Sequence, residues 1–171
     1  LHCTMRRMFI TAMLPPGNIQ AQINEVKTKL FSKFGFASMY ALPPIVPIMI
    51  TDNPIDQPEL HAVIRQSCIV SASGATIEHG YVAMHVKPIG ICDHIRSQIT
   101  GVDPVETATA TRVNPHIPNV ESLLLGVHEG MHDRDEDAAV RRFLADSVVG
   151  DYRWKRSELV CLDLTTVQQP W

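Results

Sequence analysis

The chain has 171 residues, 45% of them apolar and 19% charged, which suits one domain or two small lobes around a real core and excludes a disordered polymer. A formal net charge of −3 argues against a broad surface for long nucleic acids, yet leaves room for a local pocket that takes a small anion. No apolar run approaches the ~20 residues that a membrane-spanning helix needs.

Leu1 to Thr4, ahead of Met5, read as lying upstream of the natural start. Met8 to Leu14 is a short apolar run closed by Pro15-Pro16-Gly17, a buried strand in pattern and not a signal peptide. Asn18 is the expected cap of the next element. Ile19, Ile23, Val26, Leu30 and Phe34 recur at helical spacing, with Lys27, Lys29 and Lys33 assigned off that stripe and Gly35 as the left-handed stop. Phe36 to Ala41 reads as a strand, broken by Pro43-Pro44 before Ile45 to Ile50 resumes extended. Prolines remove ladder donors, so this is an edge or bent strand.

After a loop over 51–57, Asp56 and Pro58 start a helix with Leu60, Val63, Ile64 and Cys68 on its apolar face. Thr76 to Lys87 reads as one strand. Pro88 opens a helix with Cys92, Ile95 and Ile99 inward, closed near Gly101. Thr107 to Val113 is rich in β-formers, and Asn119 to Val127 is a further strand before the polar loop Glu129 to Asp137. Ala139, Val140, Phe143, Leu144 and Val148 form the last helix. Gly150-Asp151 then turns into two short strands, Tyr152 to Lys155 and Leu159 to Thr165. The whole is two βα-rich halves, each offering a strand to a central groove. Cys3, Cys68, Cys92 and Cys161 lack metal-ligand spacing and read as reduced, mostly buried thiols of a cytoplasmic protein.

Two stretches echo each other. Pro44-Ile45-Val46-Pro47 and Pro115-His116-Ile117-Pro118 share one outline, and each stands at the mouth of an apolar run. With the opening strand Met8 to Pro15 and the closing strand Glu158 to Leu162, this order resembles the two-histidine phosphoesterase superfamily, which includes 2′-5′ RNA ligases and cyclic nucleotide phosphodiesterases. The resemblance covers most of the chain. It implies an α+β, two-lobed fold, with antiparallel-rich sheets around a central groove and flanking helices. Members carry two His-x-Thr/Ser motifs facing each other across that groove, one histidine accepting a proton and the other donating one. No metal or other cofactor is required. The implied ligand is a small nucleotide or an RNA end with a 2′,3′-cyclic phosphate; no membrane partner is implied.

This chain departs from the pattern at three positions. Ile45 stands where the first histidine belongs, and Pro47 and Pro118 stand where the hydroxyl residues belong. His116 can therefore fill one acid–base role, and a missing partner worth roughly 10²–10⁴-fold leaves a weak enzyme or a binding protein. Arg112, near His116, suits bidentate phosphate contact. Arg153 and Lys155 alternate on one expected strand face and read either as a solvated face or as a pair aimed at one anion. Tyr40, just before the first motif, reads as a base-stacking or a packing residue. His79, His85 and Lys87 are further candidates, the two histidines sharing a face if 76–87 is a single strand.

One motif points elsewhere. His128-Glu129-Gly130-Met131-His132 matches His-Glu-x-x-His, a zinc hydrolase signature whose chemistry needs both histidines on one helix. Gly126, Gly130 and the preceding leucine run disfavour that helix.

Overall fold

The computed structural model of the chain describes residues 9–41, 43–56, 58, 60, 69–78, 80–99, 121–128, 134–147 and 151–163. β1 (Phe9–Leu14) is the opening apolar run, and it lies in the middle of a sheet. Both of its faces are covered, so apolar residues follow one another without alternating. β2 (Val46–Thr51) and β7 (Glu158–Asp163) flank it antiparallel, in the order β2-β1-β7. The register of β1 and β2 shifts between Thr11 and Ala12, leaving Ile48 as an extra residue. Its carbonyl accepts two bonds from Arg96, from Nε at 3.0 Å and Nη2 at 2.7 Å.

The second sheet is also antiparallel. It joins β5 (Ser122–Val127), β4 (Tyr81–Lys87), β3 (Val70–Glu78) and β6 (Tyr152–Trp154) in the order β5-β4-β3-β6. Four helices are described: α1 (Gly17–Phe34), α2 (Ser38–Ala41), α3 (Ile91–Gln98) and α4 (Arg134–Ser147). The chain is thus an α+β protein with two antiparallel sheets, one of them a curled half-barrel. None of the described helices is long and apolar enough to cross a membrane.

Two apolar clusters sort the faces of the strands. Ile19, Ile23, Val26 and Leu30 of α1, Cys92 and Ile95 of α3, and Val140 and Leu144 of α4 pack with Met13, Val70, Ala72, Val82, Met84, Val86, Leu123 and Leu125. The opposite faces carry a smaller cluster of Ile10, Ala12, Ile45, Ile50, Tyr81, Ala83 and Leu124, with no helix residue in it.

Five expectations are corrected. The N-cap of α1 is Pro16, whose carbonyl takes the Ile19 and Gln20 amides, and Asn18 lies inside the first turn. Lys27 belongs to the buried stripe, because it follows Ile23 by four residues and precedes Leu30 by three. Residues 36–41 hold the short helix α2 instead of a strand: Phe36 and Met39 are both buried, three apart, and Phe36 stacks on Phe34 at 5.5 Å. The expected strand 76–87 is a hairpin, because Gly80 takes φ 81° and turns the chain back. In α4, Ala139 is exposed, and Val140 and Leu144 supply the inward contacts. Gly35 does close α1 with φ 75°, its amide bonding the Phe31 carbonyl at 2.8 Å. The expected strand 107–113, the segments 61–68 and 148–150, and Cys3 and Cys68 lie outside the described residues. Cys92 and Cys161 are free thiols, the first buried and the second half-buried.

Candidate functional site

The segment after Pro44 and the strand β5 meet directly. The Leu124 amide donates to the Ile45 carbonyl at 2.8 Å, an antiparallel bridge that joins the two sheets. At this seam the Ile45 side chain is 1% exposed and sits in the smaller apolar cluster against Ile10, Ala12, Tyr81, Ala83 and Leu124. Pro47, half-buried in β2, stands opposite Ala12 and offers no side-chain donor. Tyr40 is 62% exposed on α2, its ring edge-on to Phe31 at 4.6 Å. His116, Arg112, Pro118 and His79 lie outside the described residues, as do Glu129 and His132.

Arg153 and Lys155 do not share one strand face. β6 ends at Trp154, so Lys155 falls in the bend beyond it, and both side chains are exposed. Arg153 lies opposite Ser71 on the far edge of the second sheet from β5. That edge is three strand spacings, about 14 Å, from the β5 side where Ile45 attaches.

The register brings together residues that are remote in sequence. His85 of β4 faces Ser122 of β5 on one side and Ser73 of β3 on the other. One step along, Lys87 faces Ser71, which in turn faces Arg153 of β6. Directly opposed residues in antiparallel strands project from the same face. Their chain neighbours Val70, Ala72, Val86, Tyr152 and Trp154 all belong to the helix-side core, which fixes Ser71, Ser73, His85, Lys87 and Arg153 on the opposite face. This face therefore runs from apolar at Ala83 and Leu124 to polar at two rows, Ser122-His85-Ser73 and Lys87-Ser71-Arg153. His85, Lys87 and Arg153 are exposed, Ser71 and Ser73 half-buried, and Ser122 buried. His85, Lys87 and Arg153 are candidates already in the sequence; Ser71, Ser73 and Ser122, and the alignment of all six in two rows, enter only through register.

Glu121, next to Ser122 in sequence, turns the other way. Its two carboxylate oxygens accept the Gly90 amide at 2.8 Å and the Cys92 amide at 2.9 Å, at the start of α3. Burial, with Glu121 second and Asp93 adding to it against Arg96, pushes the Cys92 thiol up to about 12, so it is an inert core group.

His128 stands just past β5 and outside any helix, its amide bonded to the Gly80 carbonyl at 2.8 Å. Its ring is buried, 5.1 Å from the Phe36 ring, with Nε2 3.1 Å from Asp137 Oδ1 of α4. The helix that a zincin signature requires is thus absent at its first histidine. Among the described residues no three His, Cys, Asp or Glu side chains group closely enough to hold a metal ion.

No protein-family model matches the chain, and no curated protein matches its sequence.

Proposed function

We propose that the chain is a two-histidine phosphoesterase-like protein of two lobes around a groove, and that it binds a small nucleotide or an RNA end with a 2′,3′-cyclic phosphate. The observation that carries this reading is the bridge between Ile45 and Leu124, which makes neighbours of the segment after Pro44 and the strand that follows Pro118. The same seam favours binding over turnover. Ile45 is buried among apolar side chains and has no proton to exchange, and Pro47 has no hydroxyl for the phosphate. His116 is the remaining proton-exchanging group, with Arg112 as its phosphate partner; no metal takes part, and the ligand is met in the cytoplasm.

The test is calorimetric titration with a nucleoside 2′,3′-cyclic phosphate across pH 5.5 to 8.5. Affinity should fall as pH rises, because only the protonated imidazole attracts the phosphate, and His116→Ala should flatten the profile. A chain that binds no nucleotide at any pH has no nucleotide site, and the family reading then fails as a functional one.

A further inference from the structure

We propose that Lys87, Ser71 and Arg153, side by side on β4, β3 and β6, form a binding site for a phosphoryl group, the dianionic end of a phosphate monoester or inorganic phosphate itself. This site is separate from the seam. Lys87 lies four residues along β4 from Ala83, the partner of Leu124, which is about 14 Å of strand. The inference does not depend on any likeness to phosphoesterases, because it rests only on the register of the second sheet.

The three side chains project from one face, in one row, on three adjacent strands. Lys87 and Arg153 are two strand spacings, about 10 Å, apart at the backbone, with the short Ser71 between them. Two long cationic side chains can lean over a short hydroxyl residue from both sides and leave space for an anion above it. The donor set suits a tetrahedral dianion. The ammonium brings three N–H groups, the guanidinium a planar fork, and the serine one O–H. Two positive charges balance a phosphate monoester, which carries about −1.5 to −2 near neutral pH, whereas a carboxylate needs only one.

Among the described residues, acidic competition on this face is weak. Asp151 Oδ2 is 3.9 Å from Arg153 Nη2, a long contact between exposed groups. Glu121 is engaged by two amides of the 90–92 turn on the helix side. The neighbouring row places the exposed His85 and the half-buried Ser73 beside the cradle, on the side where the alcohol part of an ester would lie.

The experiment is calorimetric titration of the full chain at low salt with inorganic phosphate and, separately, with glycerol phosphate. Lys87→Gln and Arg153→Gln should each weaken binding roughly ten- to hundredfold, as expected for losing a charged hydrogen bond, and Ser71→Ala several-fold. Lys29→Gln, an exposed lysine on α1, should change nothing. Tighter binding of the ester assigns the site to an organic phosphate, and equal binding assigns it to the free ion. The proposal is overturned if the parent binds neither ligand, if Lys87→Gln and Arg153→Gln stay within twofold of it, or if Lys29→Gln weakens binding as much as they do. Loss of phosphate binding in Lys87→Gln and Arg153→Gln, with binding of a nucleoside 2′,3′-cyclic phosphate retained in both, separates this site from the nucleotide reading.

Discussion

A lysine in a core stripe sets a limit on this protein's stability. Lys27 is 2% exposed on α1, between Ile23 and Leu30, and burial lowers its amine from about 10.5 to about 8. The folded chain thus gives up this proton earlier than the unfolded chain. Between pH 8 and 10.5 the unfolded state holds more protons, so stability should rise with pH through that window. At pH 7 the charged amine opposes folding by up to ~3 kcal/mol. Lys27→Met keeps the packing stem and removes the charge. The variant should be more stable than the parent at pH 7, with the gap closing towards pH 10.5, as urea denaturation at both pH values would show. An unchanged gap would mean that burial does not depress this amine. Its inward place was readable in the sequence, since spacings of four and three put Lys27 on the apolar stripe. Residue type alone had assigned it outward.

At the scale of elements, the parts visible in the sequence are those in which local pattern and tertiary packing agree. β1, α1 with its Gly35 stop, and α3 with Cys92 and Ile95 inward are such parts. The hairpin at Gly80 was hidden because apolar residues run unbroken through Tyr81–Met84, buried on both faces of a strand between two others. The polar rows were hidden for a different reason: a cross-strand pair is set by register, which no local window contains. The start of α3 shows the same principle. Glu121 caps it from about thirty residues away, taking the Gly90 and Cys92 amides with one carboxylate. Glu121→Gln leaves one acceptor oxygen and turns an N–H₂ toward the other amide. We expect a loss of about 1–3 kcal/mol in thermal or chemical denaturation. Cys92 should also label faster with a thiol reagent, read by peptide mass mapping, because its carboxylate neighbour is gone and the turn is loosened. Unchanged stability and labelling would show that water replaces the carboxylate without cost.

For the whole molecule, β2 and the residue before it are what both sheets hold. The Ile45 carbonyl takes the Leu124 amide of β5, and three residues later the bulged Ile48 carbonyl takes the Arg96 guanidinium of α3. Ile45 lies where these ties begin, its side chain closed among residues of both sheets. Replacing it with histidine tests packing and function together. Ile45→His should cost roughly 2–4 kcal/mol, because a polar ring enters an apolar cluster. That is within the 5–15 kcal/mol margin of ordinary domains, so a folded variant is expected. If the seam is a degenerate phosphoesterase site, the new imidazole restores a second acid–base group. Hydrolysis of a 2′,3′-cyclic nucleotide should then exceed the parent's by up to ~10²–10⁴-fold. Pro47 and Pro118 should keep it below a site that has both hydroxyls. A folded variant with the parent's activity would show that position 45 does not face His116 across the bound phosphate. A parent that already hydrolyses the substrate strongly would mean that another group supplies the second proton transfer. His85 would then be the first to replace with alanine, since it is exposed on the same face of the sheet as Ala83 and Leu124.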